Sequence, residues 1–197
     1  MWDERFSEPG YAYGTEPNDY LAAVASHIQQ GPVLCIAEGQ GRNAVALAQL
    51  GHVVHAIDSS AVGLQKAKAL ADSKGVALLT EVVDLADYDF GIERWGAVVS
   101  IFCHLPPQLR RRCHAQIVRS LKPGGWFVAE TYRPEQLECK TGGPQQIELL
   151  VTVEDLRHEL SGLMFVELRS VNREIHEGVY HNGPSAVVQC LAQKPLA

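Results

Sequence analysis

No apolar run in the 197-residue sequence approaches the roughly 20 residues needed to cross a bilayer. The opening Met1-Trp2-Asp3-Glu4-Arg5 also lacks the basic-then-apolar order of a signal peptide, so a cytoplasmic protein with no membrane partner is expected. Positive charge is scarce. Seventeen Lys and Arg stand against 23 Asp and Glu, a net charge of −6. A nucleic-acid footprint needs clustered cations facing phosphate, so no nucleic-acid partner is expected. The one basic run, Arg110-Arg111-Arg112, falls in a helical pattern and reads as a solvated face. The five cysteines form no CxxC pair and are odd in number, which argues against a disulfide framework and against a metal site. No repeat, low-complexity tract or charge block divides the chain, which predicts one domain over residues 1–197. With 46% hydrophobic and 20% charged residues it has the apolar surface to offset ordering entropy.

What is present is an alternation of short apolar runs with helical patterns. Strands are predicted at Val33–Ala37, Val53–Ile57, Leu78–Val83, Ala97–Phe102 and Trp126–Glu130. Helices are predicted at Arg42–Leu50, Ala61–Ser73 and Pro106–Leu121, with Ser59 or Ser60 placed to cap the second of these. Buried strands alternating with helices imply parallel pairing and right-handed crossovers. The tail differs. After a helix at about Val153–Leu160, two long strands, Phe165–Ile175 and Ala186–Gln193, are separated only by Glu177–Ser185. That is too short for a crossover helix, so this pair is antiparallel. The fold class is therefore α/β: a doubly wound, mostly parallel seven-stranded sheet with an antiparallel C-terminal strand pair and helices on both faces. Ahead of it, Trp2–Gln30 forms an arm with a helix at about Asp19–Gln29, placed either to cover the site or to patch the core.

In open sheets of this kind ligands bind outside the carboxyl ends of the strands. The first strand ends in Glu38-Gly39-Gln40-Gly41-Arg42-Asn43-Ala44. The glycines permit a tight turn and close approach of a ligand to a helix N-terminus. The spacing also satisfies the dinucleotide fingerprint, which leaves an NAD-linked oxidoreductase as an alternative. Glu38 opposes it, because a carboxylate there repels a pyrophosphate and attracts an ammonium or sulfonium. Asp58 at the second strand tip suits ribose hydroxyls, and Asp84-Leu85 at the third suits an adenine amino group and ring, although Asp84 alone also fits a helix cap.

Glu38-Gly39-x-Gly41, Asp58, Asp84-Leu85 and Leu121-Lys122-Pro123-Gly124-Gly125-Trp126-Phe127-Val128 together resemble the class I S-adenosylmethionine-dependent methyltransferases, with their Rossmann-like sheet. Tyr13-Gly14 with Pro17-Asn18, Glu38 to Asn43, and Ser100-Ile101-Phe102-Cys103-His104-Leu105 bring the chain nearest to the tellurite-resistance and thiopurine-type members. Asn43 departs from the family's third glycine, and the short tail departs from the tellurite enzymes. The resemblance implies S-adenosyl-L-methionine as cofactor, bound by Tyr13, Glu38, Gly39, Gly41, Arg42, Asn43, Asp58, Ser59, Asp84, Leu85, Ser100 and Ile101.

It also implies methyl transfer to a small molecule, either a thiol or a chalcogen oxyanion or chalcogenide such as tellurite or selenite. A non-catalytic S-adenosylmethionine-binding or sensor protein would need the same residues. A soft anion needs no base, whereas an oxygen or nitrogen acceptor does. His104 is the expected base, because its unperturbed pKa of about 6.5 lies near working pH. Phe102, Cys103, His104, Tyr132, His176, Tyr180 and His181 are the acceptor-pocket candidates, with Arg133–Leu150 as a lid candidate hinged at Thr141-Gly142-Gly143-Pro144. A monomer or homodimer is expected.

Overall fold

A computed structural model describes residues 2–29 and 31–196; Met1, Gln30 and Ala197, which begin the chain, end the N-terminal arm and close the tail, lie outside the described residues. Seven strands, β1 (Pro32–Ile36), β2 (Val53–Asp58), β3 (Leu79–Val82), β4 (Trp95–Ile101), β5 (Leu121–Tyr132), β6 (Met164–Glu177) and β7 (His181–Gln193), lie in the order β3-β2-β1-β4-β5-β7-β6. The first five pair in parallel, while β7 runs antiparallel to both β5 and β6. The helices are α1 (Trp2–Ser7), α2 (Asp19–Val24), α3 (Arg42–Gln49), α4 (Ala61–Ser73), α5 (Pro107–Ser120), α6 (Gln136–Cys139) and α7 (Val153–Glu159). Among the described residues no helix is long and apolar enough to cross a membrane.

Alternation along the strands divides the core in two. Leu34, Ile36 and Val98 pack with Cys113 and Ile117 of α5 and with Leu156 and Leu160 around α7. Val33, Cys35 and Val99 pack on the other face with Leu21, Ala44, Leu47, Leu64 and Ala67 of α2, α3 and α4. The caps are local. Ser60 Oγ accepts from Gly63 N, Asn18 Oδ1 accepts from Leu21 N, and Thr152 and Asp155 form a reciprocal capping box.

Three boundaries differ from the sequence reading. The helix expected to Gln29 tightens into a 3-10 turn at Ala25–His27. β5 begins at Leu121, which pairs with Trp95; Lys122–Gly125, with Gly124 at φ 77°, form an irregular insertion before pairing resumes at Trp126 opposite Ala97. The hairpin expected to loop over Glu177–Ser185 instead pairs as far as Glu177 opposite His181, which leaves only Gly178–Tyr180 as the turn. Pro184 and Gly183 read as breakers, yet they sit in the ladder opposite Glu174 and Ile175.

A buried ion cluster joins α5 to α7. Glu159 Oε1 and Oε2 accept from Arg110 Nε at 3.2 and 3.0 Å, and Oε2 lies 2.7 Å from His114 Nδ1. Burial alone would raise the Glu159 carboxyl, but His114 and Arg110 hold it down to about 2. A depressed carboxyl contributes stability that is present above its ordinary value of 4.5 and is lost as pH falls toward 2. Glu159→Gln is therefore expected to cost about 3–5 kcal/mol at pH 7 by stranding Arg110. It should also flatten the wild-type loss of stability between pH 4.5 and 2. Denaturant titrations at a series of pH values check both.

Candidate active site

β1 and β4 are neighbours whose chains leave in opposite directions, toward β2 and toward β5, and this opens a crevice at their carboxyl ends. The residues that step off these strands carry strained backbone. Ala37 has φ 48° and Phe102 φ 51°. Such conformations cost about 1–3 kcal/mol each and persist only where their surroundings impose them. Here Glu38 N donates to Ile57 O, and Phe102 N donates to Glu130 O. The crevice opens into a cleft of ≈ 750 Å³ lined from the strand tips, the N-terminal arm, the loop after β5 and the β6–β7 turn.

The carboxylates expected at the tips all line this cleft. Glu38 Oε1 accepts from Asn43 N and Ala44 N at 2.9 and 2.8 Å and so caps α3. Its Oε2 makes no hydrogen bond among the described residues. Burial pushes the Glu38 carboxyl up to about 7, and the two N–H groups and the Arg42 charge offset only part of this. Asp58 Oδ2 accepts from Gly39 N and Oδ1 from Ser60 N, both at 2.8 Å, which fixes the turns after β1 and β2 relative to each other. Burial raises the Asp58 carboxyl as well. Asp84 is exposed and spends Oδ1 on Ala86 N, as a turn cap would. Its neighbour Leu85 is buried, and Ser59 and Ile101 complete this end of the cleft.

Four expected site residues stand elsewhere. Gly41 does not line the cleft; a Cβ there would meet Ala67 Cβ at 2.5 Å and Cα at 2.8 Å, so the glycine lets α3 close on α4. Ser100 is buried inside β4 behind the tip. Tyr132 is fully buried behind Phe102, their rings stacked at 4.6 Å. His176 is exposed on the hairpin, with Nδ1 2.7 Å from Asn182 Oδ1. Strand alternation explains His176, since it faces opposite to its neighbour Glu177. Two further residues line the cleft but have their side chains engaged. Arg42 Nη2 donates to Glu177 Oε2 at 2.6 Å, and Asn43 Oδ1 accepts from Asn18 N.

The acceptor side is aromatic. Phe102, Cys103, His104, Tyr180 and His181 line it, and Tyr13 closes the arm side. The His181 ring lies 4.5 Å from Tyr13 and 4.7 Å from Phe102; the His104 ring stacks on Tyr132 at 5.5 Å and 10°. Burial pushes the His104 imidazole down to about 4, reinforced by His181 and opposed only by the Leu149 backbone. His104 is thus a neutral group at working pH rather than one that titrates there. Burial pushes the Cys103 thiol far up, so it offers no thiolate nucleophile.

The N-terminal arm and the lid candidate after β5 both reach the cleft, and the structure adds which of their residues line it. Trp2, Arg5 and Phe6 of α1 line it, and the Phe6 ring packs so closely over Gly39 and Gly63 that a Cβ at either would come within 2.9 Å of it. Asp3 holds α1 down by accepting from Ser60 Oγ at 2.5 Å. Gly142, Gly143 and Pro144 form the opposite rim. Buried Gln136 pins that loop, donating to Thr141 Oγ1 and Gly142 O and accepting from Ala186 N. The hinge Thr141-Gly142-Gly143-Pro144 is marked in the sequence, whereas the pinning role of Gln136 depends on the register that brings β7 beside β5.

The cleft fits the cofactor. A sulfonium nucleoside with an ammonium tail offers cations to the unpaired Oε2 of half-buried Glu38, hydroxyl donors to Asp58 and an amino donor to Asp84.

Comparison with known proteins agrees. Residues 33–125 match the family described as "Methyltransferase domain". The chain is similar to a 2-heptyl-1-hydroxyquinolin-4(1H)-one methyltransferase from Mycobacteroides abscessus, 24% identical over 144 residues, covering 72% of this chain and 63% of that protein. It also resembles TehB from Haemophilus influenzae, with a TM-score of 0.74 and 18% identity over 98% of this chain and 67% of that one. A third similarity is to Burkholderia thailandensis 1,6-didemethyltoxoflavin-N1-methyltransferase, solved with 1,6-didemethyltoxoflavin and S-adenosylhomocysteine bound. There the TM-score is 0.65 and the identity 21%, over 89% of this chain and 76% of that one. The match over residues 33–125, together with this strand order and the carboxylates at the tips, makes that segment similar to a methyltransferase domain.

Proposed function

We propose that the chain transfers a methyl group from S-adenosylmethionine to a small, uncharged, ring-bearing acceptor through an oxygen, nitrogen or sulfur that gives up a proton. The observation that carries this reading is the aromatic slot of Phe102, His104, His181 and Tyr13, continuous with the carboxylate-lined cofactor cleft. Flat apolar walls favour a ring, since offset and edge-on aromatic contacts are each worth about 0.5–1.5 kcal/mol beyond burial. Two proteins this chain resembles are named for heterocyclic compounds, which supports the same class.

An oxyanion such as tellurite or selenite is less well served. Arg42 is paired with Glu177, and Arg5 donates to Tyr13 Oη and lies over the Tyr180 ring. A thiol of similar size fits the slot as well as a hydroxyl. S-adenosylmethionine, when bound, supplies an electrophilic methyl whose transfer leaves a neutral thioether. The chain's own residues then align the acceptor and exclude water, which is most of what an in-line displacement requires. Phe102 and His181 orient the ring, Phe6 and the rim at Gly142–Pro144 close the cleft, and Glu38 and Asp58 fix the donor.

Incubating the protein with methyl-labelled S-adenosylmethionine and a panel of hydroxyquinolines, phenols, aryl thiols, tellurite and selenite tests the reading. Label is expected on a ring compound. Label on tellurite or selenite alone would overturn the acceptor class. Tight binding of S-adenosylmethionine with no product from a broad panel would favour the sensor reading.

A further inference from the structure

The slot holds two imidazoles with unlike surroundings, and only one of them has a carboxylate behind it. We infer that His181, oriented by Glu177, takes the acceptor's proton, while His104 remains an uncharged wall of the slot; this rests on the methyl-transfer reading above.

His104 has no hydrogen-bond partner at Nδ1 or Nε2 among the described residues and is sandwiched near Tyr132 and Phe102. A cation formed there would be buried without a counter-charge, which costs several kcal/mol. His181 differs because of the hairpin register. Glu177 and His181 are the last cross-strand pair before the turn, and His181 Nδ1 lies 3.8 Å from Glu177 Oε2. The carboxylate is itself clamped. Its Oε2 accepts from Arg42 Nη2 at 2.6 Å, and its Oε1 accepts from Asn18 Nδ2 at 2.8 Å and Arg173 Nη2 at 3.3 Å.

Despite burial, which would raise it, contacts with His181 and Arg42 hold the Glu177 carboxyl down to about 2, so it stays ionised. At 3.8 Å the pair is a charge contact rather than a hydrogen bond, and the carboxylate's charge favours the tautomer with the proton on the facing Nδ1, which assigns Nε2 to the acceptor. The acceptor's X–H bond breaks, its electron pair stays on the heteroatom, and the proton forms Nε2–H on His181. The resulting imidazolium is balanced by Glu177 and passes its proton to water once the cleft opens.

The groups facing His181 come from several elements. Glu177 on β6 favours the charged form, while Arg42 on α3 and Arg5 on α1 oppose it. Tyr13, Tyr132 and His104 present rings. Burial is the largest influence and keeps His181 below the ordinary histidine range, so the base form is present at neutral pH. Glu177 is the positioning residue, and its connection to Arg42 and Asn18 ties the base to the cofactor helix and the N-terminal arm.

The test uses the full chain saturated with S-adenosylhomocysteine and follows the histidine rings by NMR across pH, with His181→Gln and His104→Gln supplying the assignments. His181 is expected to titrate at higher pH than His104. Glu177→Gln, or Glu177→Asp if the amide fails to fold, is expected to shift the His181 titration down by about one unit, a tenfold change, and to move His104 less. Kinetics with 4-hydroxyquinoline and with 4-nitrothiophenol, already a thiolate at neutral pH, form the second arm. His181→Gln should lower kcat for the hydroxyl probe about 10²–10⁴-fold and that for the thiolate far less, whereas His104→Gln should act on KM. A His181 titration unmoved by the change at Glu177, or His104 titrating above His181, would overturn the inference. So would a kcat loss in His104→Gln with none in His181→Gln. If neither probe is methylated by the wild type, the methyl-transfer reading fails, and the NMR arm still decides the pairing of His181 with Glu177.

Discussion

Glu38→Gln is expected to weaken S-adenosylmethionine binding by about 2–3 kcal/mol, roughly 30- to 150-fold, with the sheet intact. The variant keeps the shape of the side chain and an oxygen to cap α3 through Asn43 N and Ala44 N, but removes the Glu38 charge beside the first turn. The wild-type affinity should itself depend on pH. Burial holds the Glu38 carboxyl at about 7, and a cationic ligand binds only its ionised form. Affinity is therefore full above pH 8 and falls as pH drops through 7 toward 5.5, while the variant's weaker affinity stays flat over that range. Calorimetric titrations at three pH values measure both. A wild-type affinity independent of pH would show that Glu38 does not face the cation.

Gly41→Val should instead damage the fold. Its Cβ would lie 2.5 Å from Ala67 Cβ and 2.8 Å from Ala67 Cα, and the backbone there has φ 89°. A clash with helix backbone has no flexible end to yield, and a β-branched residue is poorly tolerated in the left-handed region. The expected cost is about 4 kcal/mol or more, roughly 8–16 °C in Tm. Gly39→Val has φ 60° as well, but its Cβ meets the Phe6 ring, a side chain that can swing away. It should lose less stability and more cofactor affinity, because α1 is lifted off the cleft. Thermal melts of the two variants beside cofactor titrations distinguish them. Equal stability loss in both would refute the separate roles.

These two glycines show what the sequence discloses and what it withholds. The Glu38-Gly39-x-Gly41 spacing announces a tight turn at a strand tip, and the turn is there. It does not say which glycine faces a ligand and which faces a helix, because that depends on Ala67 in α4. Most of the parallel strands were legible as short apolar runs between turn residues, while the exposed edge strand β3, Leu79-Thr80-Glu81-Val82, is mixed in polarity. Asp58 and Asp84 were legible because position at a strand tip is a local property.

The acceptor side was not. Glu177 and His181 read as loop residues while Pro184 and Gly183 were taken for breakers, and the pairing that sets them opposite each other is long-range. The buried cluster of Asn18, Glu130, Glu177 and Arg173 joins residues from both ends of the chain. His176 and His181 look equivalent in the sequence. Strand alternation sends the first outward to Asn182 and the pairing with Glu177 brings the second inward. Phe6 gave no signal, since a lone aromatic in an arm patches a core as readily as it covers a site.

The account's central claim is that one cleft holds the methyl donor at the carboxylates of the strand tips and presents it to the aromatic slot. A crystal structure with S-adenosylhomocysteine tests this most directly. The ammonium is expected at Glu38, the ribose hydroxyls at Asp58, the adenine beside Asp84 and Leu85, and the thioether sulfur opening toward Phe102 and His181. A nucleoside lodged among Phe102, His104 and His181, or a sulfur turned toward α1 with Glu38 unoccupied, would contradict it.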